Sequence, residues 1–278
     1  MTRDGKEKVT MIGKSVVFIG GGNMAEGIIR GQIANKVMVP ESIHVYDVLE
    51  ERMRHLHDTY GVSPVNDVAV AMAEAELIFV AVRPQDADVV MERIRAHGNA
   101  DALIVSICAG LTLDRMAERM GAERRIARVM PNVLIEARHG YSGVCINDKI
   151  NAKDKEDIAA MMGALGQTMF IPERLFDEFT AYGCAGPAYV LHFLTGMIDA
   201  GVQSGFSRAD SAAIAIENMI GSAVMLQRTG KHPYQIIDAM TSPAGVTIDG
   251  IHVLAESGIH GVVMSCVKSA VERARELS

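Results

Sequence analysis

Gly20-Gly21-Gly22-Asn23-Met24-Ala25 directly follows Ser15-Val16-Val17-Phe18-Ile19. Few features restrict a chain more. The apolar run has strand length and no polar alternation, so it predicts a strand buried on both faces. The glycines fit G-x-G-x-x-A. The first permits a tight turn, the second lets an anion approach the backbone, and small Ala25 lets the next helix pack closely. Met24–Ala34 then has helical spacing.

The rest of the first half repeats this alternation. Ile43–Tyr46 reads as a strand, followed by a polar helix through Tyr60. Leu77–Val82, Leu103–Ile107, Ile126–Met130 and Gly143–Ile146 are further strand candidates, with helical patterns at Ala87–Ala96 and Leu113–Met120. Buried strands alternating with helices predict an α/β chain with an N-terminal, Rossmann-type, doubly wound parallel sheet. After about Asn151 the pattern becomes helical: Asp154–Leu165, Glu173–Tyr182, Pro187–Ser204, Ser207–Thr229, Pro233–Met240 and Ile248–Leu277. The expected organisation is an N-terminal extension over 1–14, a dinucleotide-binding domain over 15–170 and an all-α domain over 171–278.

These long helices carry Ala, Met, Ile and Val on more than one face, and such a helix needs burial all round. Roughly 110 residues make a small core for that surface, which predicts an oligomer built through this half. The longest apolar stretch, Pro187–Val202, includes His192 and Asp199 and reads as a buried helix rather than a membrane span. Lys plus Arg number 27 against 34 acids, a net charge of −7, which argues against nucleic-acid or membrane-surface binding. Cys108, Cys145, Cys184 and Cys266 are scattered without C-x-x-C spacing. No metal site or disulfide framework is expected, and reduced thiols in the cytoplasm fit better. Residues 1–14 are polar and charged, with no apolar segment of the signal-peptide kind.

In open parallel sheets, ligands bind beyond the carboxyl ends of strands. The turns Val82-Arg83-Pro84-Gln85, Cys108-Ala109-Gly110 and Met130-Pro131-Asn132 should therefore line the crevice that holds Gly20–Ala25. Asp47 ends the second strand, where an acid accepts from ribose hydroxyls; its other role would be to cap the next helix. Together with Glu50 and Glu51 it would repel a 2′-phosphate, favouring NADH over NADPH, while Arg52 and Arg54 are cations that could swing toward one. A second, separate anion site is suggested by Asp238–Ile248, Asp-Ala-Met-Thr-Ser-Pro-Ala-Gly-Val-Thr-Ile, which can aim hydroxyls and backbone N–H groups at one point where a helix begins. Two anion sites of different kinds point to a two-substrate enzyme.

The chain resembles the pyrroline-5-carboxylate reductase family from about Ser15 to its end. The resemblance rests on Gly-Gly-Gly-Asn-Met-Ala at 20–25, Val-Arg-Pro-Gln at 82–85, Ser-Ile-Cys-Ala-Gly at 106–110 and Arg-Val-Met-Pro-Asn at 128–132. In the helical half it rests on Gly-Pro-Ala-Tyr at 186–189, His-Pro at 232–233, Thr-Ser-Pro-Ala-Gly-Val-Thr-Ile at 241–248 and the closing Ser-Ala-Val-Glu-Arg-Ala-Arg-Glu-Leu at 269–277. It implies a Rossmann domain followed by a helical domain that dimerises, and dimers that can assemble further. It also implies NAD(P)H-dependent reduction of the cyclic imine 1-pyrroline-5-carboxylate to L-proline. By resemblance, Gly20, Gly22, Asn23, Met24, Asp47, Asn66, Val82, Arg83, Pro84, Gln85, Ala109, Gly110 and Asn132 would serve the cofactor. Asn66 would lie on its adenosine side, and Ala109 and Asn132 near the nicotinamide. Ser242, Gly245, Val246 and Thr247 would hold the substrate, with Thr247 at the ring nitrogen.

Several residues depart from the family pattern. Val133-Leu134-Ile135 stands where Thr-Pro-Ala is common, Arg83 where Lys is usual, and Tyr182-Gly183-Cys184-Ala185-Gly186-Pro187-Ala188-Tyr189 where the family's Ser-Gly-Ser-Gly-Pro-Ala-Tyr carries hydroxyls. Pro243-Ala244-Gly245 replaces Pro-Gly-Gly, and Val246 a small residue or threonine. A more apolar pocket leaves open a different cyclic imino acid. A β-hydroxyacid dehydrogenase would need a positioned lysine, and Lys231 and Lys268 sit outside that helix motif. A non-catalytic NAD-binding protein is the reading from another class.

Overall fold

The computed structural model describes residues 11–277. The described residues form two compact units, 11–185 with 271–277, and 186–270. Along the first unit run β1 (Val16–Ile19), α1 (Asn23–Ala34), β2 (Ile43–Tyr46), α2 (Glu50–Tyr60), β3 (Ser63–Pro64), α3 (Val68–Glu74) and β4 (Leu77–Val80). They continue with α4 (Ala87–His97), β5 (Leu103–Ser106), α5 (Leu113–Met120), β6 (Arg125–Pro131), β7 (Gly140–Ile146), α6 (Ala152–Gly163), β8 (Gly166–Phe170) and α7 (Phe176–Phe179).

The strands make one sheet in the order β3-β2-β1-β4-β5-β6-β7-β8. The six strands from β3 to β6 in that order are parallel, as expected. The remainder is a correction: β7 runs antiparallel to β6, and β8 parallel to β7. Strand β8 falls in the connection between the helices expected over Asp154–Leu165 and Glu173–Tyr182. It lies at the sheet edge with Gln167, Met169 and Phe170 exposed, so it lacks the continuous apolar signature of the inner strands.

Alternation along each inner strand feeds two cores. Val16 and Phe18 face a cluster that includes Ile28 and Ile29 of α1, Leu56 of α2 and Met161 of α6. Val17 and Ile19 face a second cluster with Met72 of α3, Met91 and Ile94 of α4 and Met116 of α5. Helices on both faces make the sheet doubly wound. Phe18 and Phe79, both fully buried, stack at 4.4 Å between centroids and lock β1 to β4.

Two expected boundaries move. The extension over 1–14 lies outside the described residues up to residue 10, and its last residues belong to the sheet unit. The Ile12 N–H donates to the Val37 carbonyl at 2.7 Å, and Lys14 Nζ sits 2.7 Å from buried Asp157. The domain division expected at 170/171 falls at 185/186. Residues 171–185 stay with the sheet because Phe176 is buried beneath Arg128, whose guanidinium lies 3.7 Å over the ring, and Arg128 pairs with Glu173 at 3.1 Å.

The second unit contains α8 (Gly186–Gln203), α9 (Arg208–Thr229), α10 (Pro233–Met240), α11 (Val246–Glu256) and most of α12 (Ile259–Leu277). The single helix expected over 248–277 is two helices bent by 47°, because Gly258 adopts φ +67 between them. The stretch Pro187–Val202 was expected to be buried, yet α8, α10, α11 and α12 bury no residue and α9 buries only Ser211 and Ala215. Leu191, Ile220, Val262 and Met264 are among the large apolar side chains left exposed on these helices. By length and composition alone α9 could cross a membrane, as could α11 and α12 taken together.

Removing one ring of the Phe18–Phe79 stack leaves a cavity that a fully buried sheet cannot close. Phe79→Ala is therefore expected to cost about 3–5 kcal/mol of unfolding free energy, read from urea denaturation.

Candidate active site

The carboxyl ends of β1, β4, β5 and β6 all open on one edge of the sheet. Between β1 and β4 the chain order reverses, which is where open α/β sheets form a ligand crevice. The Ala81 N–H donates to the Ile19 carbonyl at 2.9 Å, and the Ile107 N–H to Val80 at 3.0 Å, so the turns after these strands leave from neighbouring points. Gly20 has φ +102, and a Cβ there would stand 2.4 Å from the Ala81 carbonyl oxygen. Only glycine satisfies both demands. Gly22 has φ −66, caps α1 from the N-terminal side without a side-chain hydrogen bond, and has nothing within 4 Å of a built Cβ. The first turn of α1 thus offers uncapped N–H groups behind an open glycine, and Asn23 is exposed beside it. These features fit a pyrophosphate.

Asp47 stands at the end of β2 as expected. Its Oδ2 accepts the Gly21 N–H at 2.7 Å and its Oδ1 accepts the Leu49 N–H at 2.9 Å. The acid therefore ties the glycine turn to the β2 end rather than capping α2, whose N-cap, Leu49, makes no side-chain bond. Arg52 is anchored, donating from Nε and Nη2 to the Gly21 carbonyl at 2.9 and 2.6 Å and from Nη2 to Glu26 at 2.7 Å. Glu26 and this anchoring escaped the sequence-based reading; the acid in the first turn of α1 was the available signal. Burial pushes the Glu26 carboxyl up. Hydrogen bonds from His55, Arg52 and Tyr60, with the Arg52 charge, outweigh it and hold the group at about 2.

The other expected cofactor residues divide by exposure. Arg83, Pro84 and Gln85 are exposed after β4 and Val82 half-buried, with Arg83 Nε paired to Asp86 at 2.9 Å. Ala109 is exposed after β5. Gly110 has φ +74 and would crowd the Leu277 carbonyl oxygen at 2.7 Å if it carried a Cβ. Asn66 is exposed after β3 and lines a shallow cleft with Ser15, His44 and Glu74. Asn132 is buried and both ends of its amide are engaged: Oδ1 accepts from the Leu134 and Tyr141 N–H groups at 3.2 Å and Nδ2 donates to the Gly183 carbonyl at 3.0 Å. Its side chain shapes the turn after β6. Of the departures nearby, Val133 and Leu134 are exposed, whereas Ile135 is a core residue packed on Gly27 of α1.

The second expected site is a turn into α11. The Gly245 N–H donates to the Ser242 carbonyl at 3.0 Å, closing a four-residue turn over Pro243 and Ala244. Ala244 has φ +54, the conformation a turn of this kind usually gives to glycine at its third position. A Cβ on Gly245 would meet Ser242 Oγ at 2.3 Å, so a side chain there would turn the Ser242 hydroxyl away. The Gly245 N–H is thus used inside the turn. No side chain caps α11, so the N–H groups of Val246, Thr247 and Ile248 remain for an anion. Val246 is exposed and Thr247 half-buried. Among the described residues no group of His, Cys, Asp and Glu could hold a metal ion.

A dinucleotide-binding sheet joined to helices with a second anion-accepting turn defines a nicotinamide-dependent oxidoreductase. Comparison with known proteins narrows the class. Residues 173–277 match the family model for pyrroline-5-carboxylate reductase dimerisation, and residues 15–110 the model for coenzyme F420-dependent NADP oxidoreductase. Over 265 residues the chain is 34% identical to the pyrroline-5-carboxylate reductase of Escherichia coli, covering 95% of this chain and 98% of that one. A solved pyrroline-5-carboxylate reductase from Coxiella burnetii superposes with a TM-score of 0.90 at 27% identity, over 95% of this chain and 98% of that one. The Plasmodium falciparum pyrroline carboxylate reductase, solved with NADP bound, gives 0.86 at 27% identity over 96% and 99%. The chain belongs to the pyrroline-5-carboxylate reductase family.

The two outer glycines of the first turn should separate experimentally. Gly20→Ala is expected to cost about 3 kcal/mol or more, through strain and a backbone clash. Gly22→Ala should stay within about 0.5 kcal/mol of the parent, because its backbone is already extended and its surroundings open. Thermal melts of the two variants check this.

Proposed function

We propose that the protein reduces 1-pyrroline-5-carboxylate to L-proline with NADH or NADPH as reductant. The observation that carries this reading is the uncapped start of α11 behind Ser242, in a chain that matches family members over nearly its whole length. A cyclic imino acid has one carboxylate and one ring nitrogen, and the turn offers N–H groups for the first and a hydroxyl for the second. Ser242 and the N–H groups of Val246 and Thr247 hold the carboxylate, helped by the positive end of the α11 dipole. Gly245 keeps the turn tight enough for this. Thr247 Oγ1 orients the ring nitrogen by a hydrogen bond.

On the sheet unit, Gly20, Gly22, Asn23 and Met24 receive the pyrophosphate and Asp47 the adenosine ribose. Asn66 serves the adenosine side. Val82, Arg83, Pro84 and Gln85 border the cofactor, and Ala109, Gly110 and the Asn132 backbone the nicotinamide end. When bound, the nicotinamide supplies a hydride from its C4. A protonated imine is already a good electrophile, so the protein contributes orientation and preorganised charge rather than a strong acid. No Ser-His-Asp set or carboxylate pair is required.

The exposed apolar faces of the helical unit support a homodimer through residues 173–277, which match the dimerisation model, with further assembly of dimers open. The same use accounts for the apolar surface of α9 without a membrane. Reduced cysteines, two of them buried, suit a cytoplasmic enzyme.

Thr247→Ala should lower turnover about 100-fold while leaving dinucleotide affinity within about twofold. Steady-state rates on five- and six-membered cyclic imino acids with both reduced cofactors, alongside dinucleotide titrations, check this. Unchanged turnover would remove Thr247 from the reaction, and preference for the six-membered ring would replace the substrate.

A further inference from the structure

The Gly21 peptide is gripped on both sides. Its N–H donates to Asp47, and its carbonyl accepts twice from Arg52. Arg52 is itself drawn across the turn by Glu26, at 2.7 Å. Glu26 is held in turn: its Oε1 lies 3.0 Å from His55 Nε2 and accepts from the Tyr60 hydroxyl at 3.0 Å. Three side chains from α1 and α2, Glu26, His55 and Tyr60, thus fix the Arg52 guanidinium beside the glycine turn.

The position of that guanidinium matters for the ribose. Arg52 enters five residues after Asp47, in the first turn of α2, where a cation would be expected to meet a 2′-phosphate. A phosphate there needs a guanidinium or ammonium within hydrogen-bonding distance. Arg52 instead has Nε and Nη2 committed to Gly21 and Glu26. Arg54 does not replace it, being two residues further on and so about 200° round α2. Arg30 lies one turn beyond Glu26 on α1 and is exposed.

We propose that Glu26 sets the cofactor preference by sequestering Arg52, so that the ribose hydroxyls of NADH are accepted by Asp47 while the Arg52 guanidinium stays turned to Gly21 and Glu26 rather than to the 2′-phosphate of NADPH. This rests on the dinucleotide site proposed above and assigns discrimination to a residue outside it. Glu26 acts through Arg52 and is a positioning residue. Its loss should do two things: remove an anion near the phosphate, and release the guanidinium to turn toward it. Only the second requires Arg52.

The test is fluorescence titration of the full-length protein with NADH and with NADPH, without imine, in four forms: wild type, Glu26→Gln, Arg52→Ala and the double variant. Wild type should bind NADH more tightly. Glu26→Gln should shift the ratio of the two dissociation constants toward NADPH by about tenfold, the size of one charge-assisted hydrogen bond. The double variant should lose most of that shift. An unchanged ratio in Glu26→Gln overturns the proposal, as does an equal shift when Arg52 is absent. Should Glu26→Gln melt below the working temperature, Glu26→Asp keeps the charge but withdraws the carboxylate, and it must move the ratio in the same direction. Wild type that binds neither dinucleotide is a different result, since it overturns the dinucleotide site itself.

Discussion

The backbone contact between Gly20 and Ala81 is the constraint on which the nucleotide-binding half depends. It exists because β1 and β4 pair in register at the point where the chain reverses direction across the sheet, with Phe18 stacked on Phe79 behind them. That approach leaves no room for a side chain at residue 20, and it sets where the chain turns into α1. The open space at Gly22 and the uncapped first turn of α1 follow from it. Asp47 and Arg52 then fix the intervening peptide from the β2 side. The Gly21 peptide is thus held on both sides, the preorganisation that the proposed pyrophosphate site calls for.

The helical half works on the opposite principle. Its helices carry apolar residues nearly all round, yet within one chain most of them bury nothing. Hydrophobic surface left this way needs a partner. Its match to a dimerisation domain supplies the kind of partner: a second copy of the same chain. The turn proposed for the substrate sits on this half, at the start of α11, and its geometry is local. Ser242, Ala244 and Gly245 form a tight turn that leaves the first N–H groups of the helix uncapped.

Much of this was legible in the sequence where a single physical cause dominates. Runs such as Leu-Ile-Phe-Val at 77–80 and Leu-Ile-Val-Ser at 103–106 are buried on both faces, so an unbroken apolar string revealed them as inner strands. Strand β8 was hidden because an edge strand needs burial on one side only, and Gln167 and Thr168 look like loop residues. The break at Gly258 was hidden because a single glycine within apolar helical spacing does not announce a positive φ. At the site, residue identity pointed to Gly20, Asp47, Ser242 and Thr247, but not to how their groups are used. The Asn132 amide serves its own turn, the Gly245 N–H closes the turn before α11, and Ile135 belongs to the core rather than a pocket. Each depends on long-range packing or on backbone direction, which composition and spacing do not carry. The Glu26–Arg52 pair is the same case, since its partners come together only when α1 and α2 dock side by side.

In the proposed reaction a hydride passes from a nicotinamide to the carbon of a ring C=N bond. That transfer is tested most directly by following the label from NADH deuterated at C4, with each face labelled separately, during incubation with 1-pyrroline-5-carboxylate. Proline should carry one deuterium on the ring carbon beside nitrogen and away from the carboxylate, from one labelled face only. Dinucleotide binding with no deuterium in proline from either face would contradict it.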